Sequence, residues 1–392
     1  MLRGKRILVG VGGGIAVYKA AELVRLLQKQ GAEVRCAMTR AATEFVTPLT
    51  FEALTGEAVQ RELFDLTAER EMGHIKLARW ADLVIVAPAT ANLLAKLAHG
   101  VADDLLTTLM QVREGAVLIA PAMNVSMWQS AATQRNAESL RARGFAFVGP
   151  EAGELACGET GAGRLADLDA IVQAAIAALT PPTLAGQHWV IDAGPTREHW
   201  DAVRFLANGA SGRLGAEIAR AAALHGARVT LIAGPGTPKV EGVVRIDVCS
   251  GQQMLAAALQ AAADADCFVA SAAVSDYRFA EPAAGKLKRG EIAALAVQLV
   301  ANPDIVATVA AMVGRPRKVI AFAAEVQSHL ASGRDKLKRK GADALFANDV
   351  ANMGQNMAGG WWLTETGEEQ IAPLPKEQLA WELVQRIAAL GD

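Results

Sequence analysis

Three residues in the first half of the chain carry groups suited to proton transfer or covalent chemistry: His74 in "EMGHIKLARW", Asn124 in "PAMNVSMW" and Cys157 in "ELACGETGAGRL". An imidazole titrates near neutrality, so His74 suits a base or proton donor. Cys157 sits in a glycine-rich stretch that has no need of a buried apolar thiol, and reads as an acid or nucleophile. Asn124 stands among apolar neighbours, where an amide serves either as a helix cap or as a ligand for a polar substrate group. Taken singly, each has a structural reading beside the chemical one: core histidine, small buried thiol, cap.

The second half adds charge. Lysines and arginines cluster in "GKLKRGE" (285–291) and "GRDKLKRKGAD" (333–343). Such runs ordinarily cover a solvated face. Beside a glycine-rich helix entry they also suit a triphosphate. That entry is "NGASGRLGAEIA" (208–219), which carries Arg213 and follows "GPTRE" (194–198). Asp276, closing "SAAVSD", reads as a Mg²⁺ ligand, and "NPDI" (302–305) as a turn presenting backbone N–H groups to an anion. A first glycine loop, "GVGGGIAVYK" (10–19), also joins a strand to a helix. Ile15 stands where a dinucleotide fingerprint needs its third glycine, and no Lys-Ser/Thr pair makes a P-loop. The loop is either a mononucleotide-type phosphate cradle or a tight turn.

These residues need elements to hold them. "RILVGV" (6–11), "AEVRCAMT" (32–39), "DLVIVAPAT" (82–90), "AVLIAPAMN" (116–124) and "FAFVG" (145–149) read as strands, the third and fourth ending in Pro-containing turns. Helical patterns fill 18–31, 92–112 and 126–143. Apolar strands alternating with helices predict an α/β fold with a parallel sheet covered on both faces. Pro181 and Pro182 end an Ala-rich helix and mark a domain boundary. The pattern then restarts: strand "HWVIDAG", a long loop "PTREHWDAVRFLANGASGR", helix "LGAEIARAAALHG", strand "ARVTLIAGP", and further strands at 266–276, 318–325 and 342–349. Ligands of both sheets belong beyond the carboxyl ends of the strands.

Composition narrows the class. A chain of 392 residues, 52% apolar and 20% charged, builds two or three packed domains. A net charge of −2 exerts no global pull on nucleic acid. Cys36, Cys157, Cys249 and Cys267 lack metal-type spacing and predict reduced thiols in a cytoplasmic protein. The uncharged runs 116–134 and 170–187 contain prolines and polar residues, and no membrane span or signal peptide is expected.

In this order, "GHIKLARWADLVIVAPATANLLAKLAHGVADDLL", "PAMNVSMW", "CGETGAGRL", "DAGPTREHWDAVRFLANGASGRLG", "SAAVSDYR", "KLKR", "NPDI" and "FANDV" closely resemble one family over nearly the whole chain. It is the bacterial bifunctional phosphopantothenoylcysteine decarboxylase/phosphopantothenate–cysteine ligase of coenzyme A biosynthesis. The resemblance implies a flavodoxin-like, flavin-dependent cysteine decarboxylase domain over 1–180 and a Rossmann-like ligase domain over 184–392, both with mainly parallel sheets. It implies CTP-dependent joining of 4'-phosphopantothenate to L-cysteine through an acyl-cytidylate. FMN-dependent decarboxylation of 4'-phosphopantothenoylcysteine to 4'-phosphopantetheine follows. Oxidation of the thiol to a thioaldehyde places the carboxylate β to C=S, so that CO₂ can leave.

By resemblance, His74 is the base, Asn124 the substrate-carboxylate ligand and Cys157 the acid of the reductive half. FMN lies against Gly13, Gly14, Ile15, Thr39, Thr90, Ala91 and Asn92. Asn208 holds the acyl-cytidylate and Lys286 stands at the ligase reaction centre. CTP-binding positions are Ser271, Ala272, Ala273, Asp276, Lys286, Asn302, Pro303, Asp304, Ile305, Phe322, Lys336 and Lys340, with Mg²⁺ on Asp276. A homo-oligomer is implied, with trimer-based decarboxylase and dimeric ligase domains. The chain departs from the family at Gly12 (commonly serine), over Gly209–Arg213 in place of a His-Ser-Ser-Gly-Lys run, and in 354–363, which lacks the usual Phe and Asp. The alternatives are another flavin-dependent decarboxylase or flavin prenyltransferase of the same fold, or a non-catalytic relative. The long second half weighs against the former; the presence of both His74 and Cys157 weighs against the latter.

Overall fold

Apolar runs buried on both faces form the first sheet. In a computed structural model, described for residues 1–60, 73–154, 158–288, 295–325, 329–349 and 355–391, the chain divides into the units Met1–Thr180 and Pro181–Asp392. The first unit contains the parallel strands β1 (Arg6–Val11), β2 (Glu33–Met38), β3 (Leu83–Ala89), β4 (Ala116–Pro121) and β5 (Ala146–Phe147) in the order β2-β1-β3-β4-β5. Ile7, Leu8, Val9, Leu83, Ile85 and Val86 are fully buried, as strands covered by helices on both faces require. Helix Val17–Lys29 packs the Val17, Ala20, Leu23, Val24 and Leu27 stripe inward, the spacing of one helical face. A small antiparallel ribbon, β6 (Glu151–Glu154) with β7 (Thr160–Arg164), completes the described strands of this unit.

The second unit begins with β8 (His188–Ala193), followed by the antiparallel ribbon β9 (Arg197–His199) and β10 (Phe205–Ala207). Strands β11 (Arg228–Ala233), β12 (Val244–Asp247) and β13 (Cys267–Ala270) come next. β14 (Tyr277–Phe279) pairs antiparallel with β15 (Leu299–Ala301). Then follow β16 (Lys318–Glu325), β17 (Ala344–Asp349), β18 (Met357–Thr364) and β19 (Glu368–Pro375). The main sheet has the order β12-β11-β8-β13-β16-β17-β18-β19, parallel as far as β17 and antiparallel beyond it. Both units are α/β with mainly parallel sheets.

Several expected boundaries move for identifiable reasons. Pro88 and Pro121 lie within β3 and β4, not in turns after them. The β3–β4 register shifts between Val86 and Ala89, so Pro88 sits where the ladder asks for no N–H. The helical pattern over 92–112 is two helices: Ala91–His99 closes on left-handed Gly100, and Asp104 opens Leu105–Val112 with a capping box. Likewise Ser130 divides 126–143 into Val125–Gln129 and Ala131–Ala142. The long loop after β8 contains the β9–β10 ribbon. No helix among the described residues is long and apolar enough to cross a membrane.

Ile191 is fully buried at the centre of the second sheet. Ile191→Ala is expected to destabilise the folded chain by about 2–5 kcal/mol, read from urea unfolding; a loss below about 1 kcal/mol would contradict this packing.

Candidate functional site

In each sheet the order reverses once, between β1 and β3 in the first and between β8 and β13 in the second. A crevice opens beyond the strand ends at such a switch point. The first holds a cavity of about 1320 Å³ lined by the loops that follow β1, β2, β3 and β4. Of the residues singled out in the sequence, Gly13, Gly14, Ile15, Thr39, Thr90, Asn92 and Asn124 line it. Ala91 does not; it is the first residue of helix Ala91–His99, behind the capping Thr90. His74 opens the helix His74–Trp80, and its side chain lies outside the described residues, as does Cys157.

Backbone crowding explains the glycines here. A Cβ at Gly12 would lie 2.4 Å from the Pro88 carbonyl oxygen, and one at Gly13 would lie 2.4 Å from Ala41 Cβ. The departure from serine at position 12 therefore matches a backbone with no space for a side chain. Thr39 and Thr90 each accept a capping N–H, from Ala42 and Leu93, both at 3.2 Å. Asn124 caps Val125–Gln129, its Oδ1 accepting the Ser126 N–H at 2.8 Å, while its Nδ2 donates to Glu159 Oε2 at 2.7 Å. The sequence left cap and ligand as alternatives; in the structure Asn124 is a cap whose side chain also faces the cavity.

The second cavity, about 510 Å³, lies beyond the carboxyl ends of β8, β13 and β16. Every expected nucleotide position except Lys286 lines it: Ser271, Ala272, Ala273, Asp276, Asn302, Pro303, Asp304, Ile305, Phe322, Lys336 and Lys340. Asn208 also lines it, its Nδ2 donating to the Ala273 and Val274 carbonyls at 3.1 and 3.2 Å. Lys340 Nζ is ion-paired with Asp304 at 2.8 Å. Burial pushes the Asp304 carboxyl up, but Lys340 and the Ala307 N–H it caps leave it below its ordinary value. Arg213, at the start of helix Arg213–Leu224, donates to Asn356 Oδ1 at 2.6 Å, so the altered Gly209–Arg213 run still presents a cation to this cavity. The departing segment 354–363 forms β18 from Met357 onward; Gly354 lies outside the described residues.

Lys286 is exposed, on a segment anchored at its neighbour. Asp201 Oδ2 accepts the Leu287 N–H at 3.0 Å, and Arg204 donates to the Leu287 carbonyl at 2.8 Å. The Arg204 guanidinium beside it, with the Val203, Arg204 and Leu287 N–H groups, holds the Asp201 carboxyl well below the usual range. Sequence reasoning missed this clamp, as it missed Asp192, Arg339 and Lys376 in the cavity wall. Asp192 ends a run read only as a strand, yet the position is fully buried and faces a switch point. Burial pushes its carboxyl up to about 7, against the pull of the Ala272 and Ser271 N–H groups and Lys340.

Residues 1–180 match the Flavoprotein family, and residues 184–390 the DNA/pantothenate metabolism flavoprotein C-terminal domain family. The chain is 48% identical over 356 residues to the coenzyme A biosynthesis bifunctional protein CoaBC of Vibrio cholerae, covering 90% of this chain and 89% of that protein. This chain belongs to that bifunctional family. With its Escherichia coli K12 counterpart the identity is 43% over 393 residues, 98% of this chain and 96% of that one. A crystal structure of a CoaBC C-terminal domain is 31% identical, with a TM-score of 0.46, over 53% of this chain and 96% of that domain. As a member of the family, the chain is a bifunctional enzyme of coenzyme A biosynthesis with a flavoprotein half.

The raised Asp192 carboxyl carries a pH signature. Its contribution to stability is present below about pH 4, where the carboxyl is protonated folded or unfolded, and is lost as pH rises through about 7. Relative to Asp192→Asn, the native chain should lose unfolding free energy across this window with a slope of up to about 1.4 kcal/mol per pH unit. Denaturant titrations at several pH values measure it; parallel curves would show that Asp192 titrates normally.

Proposed function

We propose that the second unit joins 4'-phosphopantothenate to L-cysteine with CTP, and that the first decarboxylates the resulting 4'-phosphopantothenoylcysteine with FMN. The observation that carries this reading is the pair of separate cavities, one in each matched region. Each lies at a switch point, and of the singled-out residues whose side chains are described, the walls of the two hold all but Ala91 and Lys286.

The first cavity fits FMN. Its glycine loop is crowded against Pro88 and Ala41, which leaves backbone facing the ligand, and helix Val17–Lys29 starts without a capping side chain, so the positive end of its dipole suits a phosphate. Gly13, Gly14, Ile15, Thr39, Thr90, Ala91 and Asn92 would hold the cofactor. When bound, it supplies a two-electron oxidation of the substrate thiol and its later reversal. Asn124 Nδ2 holds the substrate carboxylate, His74 takes the proton released on oxidation, and Cys157 returns a proton to carbon after CO₂ leaves.

In the second cavity, the 4'-phosphopantothenate carboxylate attacks the α-phosphorus of CTP, giving the acyl-cytidylate and pyrophosphate. The cysteine amine then displaces CMP. Lys336 and Lys340 meet the triphosphate, Lys340 exchanging Asp304 for phosphate oxygens. Asn208 holds the acyl-cytidylate, and Lys286 serves the reaction centre from the segment clamped by Asp201. Among the described residues no group of three or more His, Cys, Asp or Glu side chains comes together. Asp276 would hold a Mg²⁺, which would neutralise charge on the triphosphate. A cytoplasmic homo-oligomer belongs to the same reading; Ile15, Tyr18 and Met127 on the first cavity's wall, 64, 60 and 49% exposed, support apolar contact with another copy.

His74→Asn should lower CO₂ release at least ~100-fold while CMP formation from CTP, cysteine and phosphopantothenate continues. Lys286→Gln should lose CMP formation yet still release CO₂ when 4'-phosphopantothenoylcysteine itself is supplied. Loss of both activities in either well-folded variant would overturn the division of labour.

A further inference from the structure

One contact beside the first cavity, made by a residue of its wall, lies outside every role assigned above. Asn124 Nδ2 donates to Glu159 Oε2 at 2.7 Å, across 35 positions of sequence. The amide cannot reverse cheaply, because its Oδ1 already accepts the Ser126 N–H at 2.8 Å. Its donor end is therefore directed at Glu159 by the helix cap itself.

The placement of Glu159 is built into the ribbon beside it. Met123 N–H donates to the Gly163 carbonyl at 2.9 Å, tying β7 to the Asn124 loop. A Cβ at Gly163 would lie 2.4 Å from the Met123 carbonyl oxygen, and one at Gly161 would lie 2.9 Å from Val125 Cγ1. Only glycine at these two positions allows so close an approach, and the approach brings the exposed Glu159 to the amide. Asn124, Gly163 and Arg164 share the cavity wall.

The geometry points to Glu159 as an internal competitor for the substrate carboxylate. The inference rests on Asn124 being the ligand of that carboxylate. A glutamate on this amide is the same chemical contact that the substrate would make, and although Nδ2 carries two N–H bonds, two carboxylates gathered on one nitrogen repel each other. Glu159 thus holds the Asn124 amide satisfied and oriented before substrate enters, and must turn away for a carboxylated ligand to dock. It returns once CO₂ is lost. Its effect is selective: it opposes ligands that carry the carboxylate and ignores those that lack it.

The test uses the flavin-loaded full chain and two unreactive probes, 4'-phosphopantothenoylserine and its carboxylate-free counterpart 4'-phosphopantothenoylethanolamine. Binding is followed by calorimetry for the native chain, Glu159→Gln, Glu159→Ala and Asn124→Ala. Both Glu159 variants should bind the serine probe about three- to tenfold more tightly and leave the ethanolamine probe unchanged. Equal shifts for both probes, or no shift for either, would overturn the competitor role. If Asn124→Ala left the serine probe's affinity unchanged, the reading of Asn124 itself would fall. If that variant weakened the serine probe while the Glu159 variants did not tighten it, Asn124 would stand and the competitor alone would be wrong.

Discussion

Full burial of the parallel strands is the constraint on which both sites depend. In the first sheet Ile7, Leu8, Val9, Ile85 and Val86 have no exposure, and in the second Trp189, Val190, Ile191, Phe268 and Val269 have none. Strands this apolar leave no room for polar chemistry along their length, since an unpaired polar group there would lose its water without recompense. Polar residues are displaced to the carboxyl ends, where loops diverge at the switch points. Asp192 shows the limit of the rule: it sits at the end of β8, is held by the Ala272 N–H, and its carboxyl is pushed up to about 7.

Close approach of backbone to backbone is the second organising feature. Gly12 and Gly13 allow the first loop to lie against Pro88 and Ala41, while Gly161 and Gly163 let the β6–β7 ribbon lie against the Asn124 loop. In both places the missing side chains let backbone approach backbone beside the cavity. In the second unit glycines do the same, a Cβ at Gly215 lying 2.3 Å from Ser271 Oγ and one at Gly234 lying 2.1 Å from the Pro195 carbonyl oxygen, and side-chain anchors add to them: Asp201 and Arg204 clamp Leu287, and Asn208 spans the Ala273 and Val274 carbonyls.

Much of the architecture was legible beforehand. Strands β1 and β16 span the segments 6–11 and 318–325 expected from the sequence, because a continuous apolar stretch bounded by charged or glycine residues favours a buried strand. Helix boundaries were less legible: Gly100, Asp104 and Ser130 act through left-handed φ or a side-chain cap, which hydrophobic periodicity does not register. The β9–β10 ribbon and the place of β18 and β19 were not readable, since antiparallel pairing depends on partners supplied by the rest of the sheet.

By itself, the sequence determined the class of fold, the glycine loops and the ordered motifs that reveal the family, all of which depend on neighbours a few residues apart. Only the tertiary structure decided which polar groups meet. It joined Asn124 to Glu159, Lys340 to Asp304, and Asp201 to the segment carrying Lys286. These contacts cross 35 to 86 positions of chain, and a carboxylate's partner at that separation is set by sheet order and loop path, not by local residue type. For the same reason Asn124 could be read from sequence as a cap or as a ligand, and only the folded chain showed that one amide does the first while facing the cavity where the second would occur.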